Sequence, residues 1–162
     1  MIKIRQYEAK DYLLLLKFTE QLTDYIASVD YLKRQRRLSA YGKVYANCLL
    51  KKIKKNNGVI YFAEENGIPI GFVAGIMQKQ TKKELLEVIP TKCGRILDLY
   101  LDPQNRSKGV GKKLMITIES YFKKKKCNII KVEVFAPNIK AHNFYKHLGY
   151  ENRSFDLIKV IE

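Results

Sequence analysis

The segment Arg106-Ser107-Lys108-Gly109-Val110-Gly111 has the residue types and spacing that most directly suggest chemistry. It follows a strand-like run and opens an apolar-periodic stretch. Its backbone N–H groups would therefore gather at the positive end of a helix dipole, a site suited to a pyrophosphate. Gly109 and Gly111 fit this reading, because a side chain there would block close backbone approach or forbid the turn. Arg106, Lys108, Lys112 and Lys113 add positive charge at the same place. Two other nucleotide loops are excluded. A Walker A loop would need glycine where Arg106 stands and a hydroxyl where Lys113 stands. The dinucleotide fingerprint would need glycine at Leu114. Cys48, Cys93 and Cys127 are far apart and sit beside no nucleophile motif, so covalent catalysis is not expected. His142 and His147 are five apart, a spacing that suits no shared helix face, and no metal is expected.

The elements that must position this loop follow from periodicity. Ile2 to Gln6 alternates like a half-buried strand, and Leu14, Leu15, Phe18 and Leu22 mark a helix beginning near Asp11. A second, basic and tyrosine-rich helix is expected from about Leu38 to Lys55, with Tyr41, Tyr45, Leu49 and Ile53 spaced by four. Val59 to Glu64 and Ile70 to Met77 read as a hairpin about Asn66-Gly67, its connection slightly longer than two residues. Gly71 and Gly75 suggest a bulge or a close backbone approach. Gln78 to Gly94 either holds a short helix near Lys82 to Glu87 or extends the hairpin. Arg95 to Leu101 is a strand. Val110, Leu114, Met115, Ile118, Tyr121 and Phe122 then define an amphipathic helix closed by Lys123 to Lys126. Ile129 to Phe135 is the next strand, and strand–helix–strand implies a parallel pair with a right-handed crossover. A short helix begins at Pro137-Asn138 and stops at Gly149, and Tyr150 to Ile161 should return to the sheet.

Leu99-Tyr100-Leu101-Asp102-Pro103, followed by Arg106-x-x-Gly109-x-Gly111, resembles the acetyl-coenzyme A motif of the GNAT superfamily of N-acetyltransferases. A second signature resembles the same family: Glu133 to Asn138, then Ala141, and Phe144-Tyr145-Lys146-His147-Leu148-Gly149-Tyr150. The likeness is good over Val59 to Tyr150 and holds only in general plan before it. It implies an α/β (α+β) fold, a mixed, mostly antiparallel sheet with a splayed central parallel strand pair and helices on both faces. It implies one domain over residues 1–162 and acetyl-coenzyme A as cosubstrate. The backbone of Leu99, Tyr100 and Leu101 would pair with the pantetheine arm. The amides of Arg106, Ser107, Lys108, Gly109, Val110, Gly111 and Lys112 would hold the pyrophosphate. Asn138 would bond the arm, and Tyr145 would be the general acid at the sulfur. The amine would attack the thioester directly, so a base or a water relay must take its proton. Glu133 and Asp98 are both candidates for that base.

Chain-wide properties narrow the partner without naming it. Among 162 residues, 31 Lys and Arg against 16 Asp and Glu give a net charge of +15, a field that attracts polyanions of any kind. No apolar run approaches the ~20 residues of a membrane span. The opening residues read as a strand rather than a signal, and three unpaired cysteines fit a reducing cytoplasm. The acceptor is expected to be a primary amine of a small molecule, peptide or protein. In the family it resembles, the N-terminal helical part and the Gln78 to Gly94 connection wall the amine side; here they carry Tyr25, Tyr31, Tyr41, Tyr45, Arg34, Arg36 and Arg37, which would suit a flat or anionic acceptor or equally form an exposed basic helix. The competing reading is a basic RNA- or ribosome-associated module, or an acetyltransferase acting on a ribosomal protein. No RNA-binding signature accompanies the basic clusters, so nucleic acid is not the expected partner. The sequence leaves a homodimer open.

Overall fold

A computed structural model of the chain describes residues 1–161. Five strands form one sheet in the order β1 (Ile2–Gln6), β2 (Val59–Glu65), β3 (Ile68–Gln78), β4 (Cys93–Leu101), β5 (Ile129–Val132). The first four are antiparallel neighbours, and β5 lies parallel to β4, pairing Cys93 with Ile129 through Ile96 with Val132. The sheet thus has the expected mixed, mostly antiparallel plan, with its parallel pair where strand–helix–strand placed it. The helices are α1 (Tyr12–Val29), α2 (Tyr41–Lys55), α3 (Glu84–Glu87), α4 (Val110–Lys124) and α5 (Ile139–His147).

Alternation along the strands builds two cores, one on each face. Val59 and Ala63 of β2 turn toward α4 and join Val73, Leu114, Met115, Ile118 and Phe122. Ile60 and Phe62 turn the other way, onto Leu15 and Phe18 of α1 and Ala46 and Leu49 of α2. Phe18 stacks on Phe72 at 6.3 Å and lies 5.2 Å from the ring of Tyr100. Burying each such side chain stabilises the fold by about 1.5–3 kcal/mol. At the chain start, Arg5 donates to both oxygens of Asp11 at 2.6 and 2.8 Å and to Glu64 at 2.6 Å. The Arg5 guanidinium holds the Asp11 carboxyl below its usual range, which ties the start of α1 to the sheet edge.

Four expectations are corrected. The hairpin connection is two residues long: Glu65 pairs with Ile68, and Asn66 and Gly67 both have positive φ, 51° and 80°, as the type I′ turn requires. The strand expected over Ile129 to Phe135 ends at Val132. Beyond it the chain turns, with the Asn138 N–H donating to the Phe135 carbonyl at 2.8 Å, and Pro137 has no N–H for a ladder. The second helix starts at Tyr41 rather than near Leu38. The segment Tyr150 to Ile161 does not return to the sheet. Tyr150 donates to Glu119 on α4 at 2.9 Å and Asn152 is bonded to His142 on α5 at 2.8 Å, so helices anchor its beginning. Glu151 to Ile161 is then exposed and without regular structure.

Candidate active site

The site is organised by an irregularity in β4. Ala74 of β3 faces Asp98, and the next residue, Gly75, faces Ile96, so Leu97 is an extra residue on β4. Such a bulge bends the strand and re-aims its side chains. Ile96 packs toward α4, Leu97 toward α1 and α2, and Leu99 again toward α4. The side chain of Asp98 reaches α2, where the Tyr45 hydroxyl donates to its two oxygens at 2.8 and 3.0 Å. The pairing with β5 stops at Ile96, so the outer edge of Leu97 to Leu101 has no strand beside it among the described residues. This is the splay anticipated between the parallel strands.

The glycine loop lies just past the open end. Gly109 is the N-cap of α4 with φ 77°, and Ser107 before it has φ 61°. A Cβ at Gly109 would meet nothing within 4 Å, so glycine is favoured there for its backbone conformation rather than for space. Gly111 differs: its Cβ would come 3.3 Å from Phe144, so its smallness lets α4 pack on α5. The first helical acceptor, the Gly109 carbonyl, takes the Lys113 N–H at 3.1 Å. The amides of Val110, Gly111 and Lys112 therefore open the helix without helical partners, next to the exposed side chains of Lys108 and Lys112. Arg106 is not a loose phosphate clamp. Its Nε donates to the Leu101 carbonyl at 3.0 Å, and its guanidinium lies 4.9 Å over the ring of Tyr25.

Asn138 is 8 % exposed and caps α5, its Oδ1 accepting the Ala141 N–H at 3.1 Å and lying 3.5 Å from the Tyr25 hydroxyl. Tyr25 of α1 thus links Arg106, at the end of β4, to Asn138, just beyond β5. Tyr145 of α5 is equally buried, held edge-on between Phe144 and Tyr150 at 5.3 and 5.7 Å. Burial, and then the charge of Asp98, push its phenol above the usual range, so it remains protonated at neutral pH. Asp98 is 6 % exposed, and burial pushes its carboxyl up to about 6 despite the Tyr45 hydrogen bond and the charge of Lys52. Glu133, the other carboxylate candidate, has a side chain 82 % exposed and paired with Arg95 at 2.5 Å.

The structure therefore brings Asp98, Tyr145, Asn138 and the glycine loop to the open end of β4 and leaves Glu133 outside, in an ion pair. Leu99 and Leu101 turn their side chains into the α4 core, and Tyr100 is buried with its hydroxyl on Asp102 at 3.0 Å; of their outer backbone edge, the Leu101 carbonyl is taken by Arg106. The contacts of Tyr45 with Asp98 and of Tyr25 with Arg106 and Asn138 escape sequence reasoning, which placed both tyrosines in the acceptor wall. The stripe Tyr41, Tyr45, Leu49 was the available signal: Tyr41 and Tyr45 stack at 5.3 Å on the face that buries Leu49. Arg37, assigned to the same wall, is clamped on Asp24 at 2.7 and 2.9 Å. Among the described residues no group of three His, Cys, Asp or Glu side chains could hold a metal, and no helix is long and apolar enough to cross a membrane.

Comparison with known proteins agrees with this fold. Two N-acetyltransferases of Methanocaldococcus jannaschii, both described as uncharacterized, are 32% identical over 101 residues and 29% identical over 114. The alignments take in 62% and 70% of this chain but 42% and 58% of those proteins, so the chain spans about half the length of these relatives. The aminoglycoside N-acetyltransferase AAC(6′)-Iy, solved with a bisubstrate analogue of coenzyme A, superposes with a TM-score of 0.72 at 14% identity, covering 100% of this chain and 99% of that one. A GCN5-related N-acetyltransferase from Ralstonia eutropha gives 0.74 at 21%, with 99% of each chain covered. At such identities these structures speak for the fold. The acetyltransferase (GNAT) family model matches residues 20–150, a span that contains the β4 bulge, the glycine loop, the Asn138 cap and Tyr145. The chain belongs to the acetyltransferase (GNAT) family.

Proposed function

We propose that the protein moves an acetyl group from acetyl-coenzyme A to a primary amine of a small molecule, peptide or protein by direct attack. The observation that supports this reading is a buried carboxylate, Asp98, on the half of β4 that β5 leaves unpaired, with the buried phenol of Tyr145 within range of its charge. The site fits the cosubstrate on this chain's own terms. The outer backbone edge of Leu99 to Leu101, with no strand beside it and only its Leu101 carbonyl held by Arg106, can take an extended polar arm as an added strand. The amides of Val110 to Lys112, at the positive end of α4, suit a pyrophosphate. When bound, acetyl-coenzyme A supplies the activated acyl group. Asp98, ionised above about pH 6, takes the proton that the acceptor amine must lose, directly or through water. Tyr145 keeps its proton through the neutral range and gives it to a departing thiolate. The Arg106–Tyr25–Asn138 contacts steady the two walls between which the arm would lie. Glu133, tied to Arg95 in solvent, is the weaker candidate for the base.

The experiment is acetyl transfer read as released thiol, over amines, amino acids, aminoglycosides and peptides with free N-termini. It is joined to calorimetry of acetyl-coenzyme A binding. Gly109→Asp should abolish binding, because it strains a positive-φ position and puts negative charge where phosphates would lie. Wild-type affinity in that variant would remove the loop from the site.

A further inference from the structure

The α1–α2 face holds one polar contact that the acid and base roles leave unused. Tyr45 sits in the second turn of α2, and its hydroxyl spans both oxygens of Asp98 at 2.8 and 3.0 Å. The one hydroxyl proton stands within reach of both oxygens, so the contact holds the carboxylate end in place and favours the form in which both oxygens are acceptors. Its ring cannot swing away, because Tyr41 stacks on it at 5.3 Å, one turn earlier on the same helix. Asp98 in turn cannot follow an ordinary strand geometry, since it lies at the bulge where β4 has one residue more than β3.

We propose that Tyr45 is a positioning residue of the transfer reaction: its hydroxyl orients the Asp98 carboxylate and keeps it ionised so that a lone pair remains for the acceptor's proton. This rests on the assignment of Asp98 as the base. The physical reason is that a donor to the charged form favours that form, while burial opposes it. The other charged or titratable groups around Asp98 are Lys52 and Tyr41 on α2 and Tyr145 on α5. On β3, Ala74 stands opposite Asp98 in register, and Phe18 of α1 lies against the ring of the neighbouring Tyr100. Lys52 favours the ionised carboxylate but makes no salt bridge with it, so Tyr45 is the direct hydrogen-bonding support the side chain has. Without that hydroxyl, burial acts with less opposition, the carboxyl holds its proton to higher pH, and nothing on α2 anchors its oxygens.

The test is Tyr45→Phe, which removes one oxygen and keeps the ring. The kcat profile with saturating glycinamide as the probe acceptor should show an acid limb near pH 6 in the wild type. In the variant the limb should move up by about 1–2 pH units, the worth of one hydrogen bond to a charged group. The plateau should fall about tenfold, and the KM for acetyl-coenzyme A should hold. The carboxyl ¹³C shift of Asp98 in aspartate-labelled protein should titrate with the same displacement, a reading that needs no acceptor. Should Tyr45→Phe fail to fold, 3-fluorotyrosine at position 45, a stronger donor of the same shape, should move both midpoints down instead. Unmoved midpoints would overturn the proposal. Asp98→Asn separates the two failures. If it is slow while Tyr45→Phe keeps the wild-type profile, the base assignment stands and the role of Tyr45 falls. If Asp98→Asn retains full turnover, both fall.

Discussion

The two halves of β4 have opposite characters. From Cys93 to Ile96 the strand is enclosed between β3 and β5, and Gly94 lies so close under the Phe122 ring that a Cβ would come within 2.6 Å of it. From Leu97 to Leu101 it keeps only β3, carries a bulge and sends its outer edge into the splay. The same division separates the two carboxylate candidates. Glu133, beside the enclosed half, is exposed and neutralised by Arg95. Asp98, on the open half, is buried, and burial lifts its carboxyl to about 6. A regular ladder satisfies backbone groups and fixes packing, and in doing so leaves nothing free to bind or react. The one-residue bulge re-aims the carboxylate, and the end of β5 at Val132 leaves the edge beside it without a partner strand.

Substitutions at the open half should affect chemistry, and those at the enclosed half should affect stability. The largest effect is expected for Asp98→Asn, with turnover lower by about 10²–10⁴-fold in steady-state thiol release. The fold should tolerate it. A carboxyl whose folded pKa lies above its usual 3.8 binds its proton more tightly when folded, so its stability contribution is lost as pH rises from about 4 to 6. Removing that buried charge should leave the melting temperature at pH 8 equal or higher, and a large fall there would make Asp98 a structural group. Tyr145→Phe comes next, with turnover reduced about 10²-fold and cofactor affinity nearly unchanged, since the hydroxyl matters as thiolate charge develops. Full turnover, with chemistry shown to limit the rate, would leave the phenol a packing residue.

At the enclosed half, Gly94→Ala presses a methyl group on the Phe122 ring and should cost about 1–3 kcal/mol in denaturant unfolding. The acid limb of the activity profile should stay in place, and a displaced limb would blur the division of β4. The smallest effect is reserved for Glu133→Gln. An exposed ion pair contributes about 0–1 kcal/mol, so the unfolding free energy should change by no more than about 1 kcal/mol and turnover by no more than about twofold. A 10²-fold loss of turnover would move the base from Asp98 to Glu133 and reverse the comparison.

Much of this was legible in the residues because it is local. Period-two and period-3.6 patterns located the strands and α4, and Asn66-Gly67 marked the hairpin. The spacing of Gly109 and Gly111 identified the loop, though for one shared reason where the structure has two: φ at Gly109 and contact with Phe144 at Gly111. The motif around Tyr145 singled out the phenol but not its surroundings. The segment Tyr150 to Ile161 was expected to return to the sheet, yet its own residues do not supply a partner strand, and its first contacts are to α4 and α5.

The sequence by itself determined where the elements run and which residue types stand at the ends of β4 and α4, since helix and strand periods, turn chemistry and helix-start amides depend on near neighbours in the chain. Only the tertiary structure decided which carboxylate is buried. A one-residue bulge reverses the facing of every residue beyond it, and no period in the sequence records whether the extra residue will be Leu97. The same holds for Tyr45: 53 positions separate it from Asp98, and a hydrogen bond at that range exists only once α2 has been packed on the sheet.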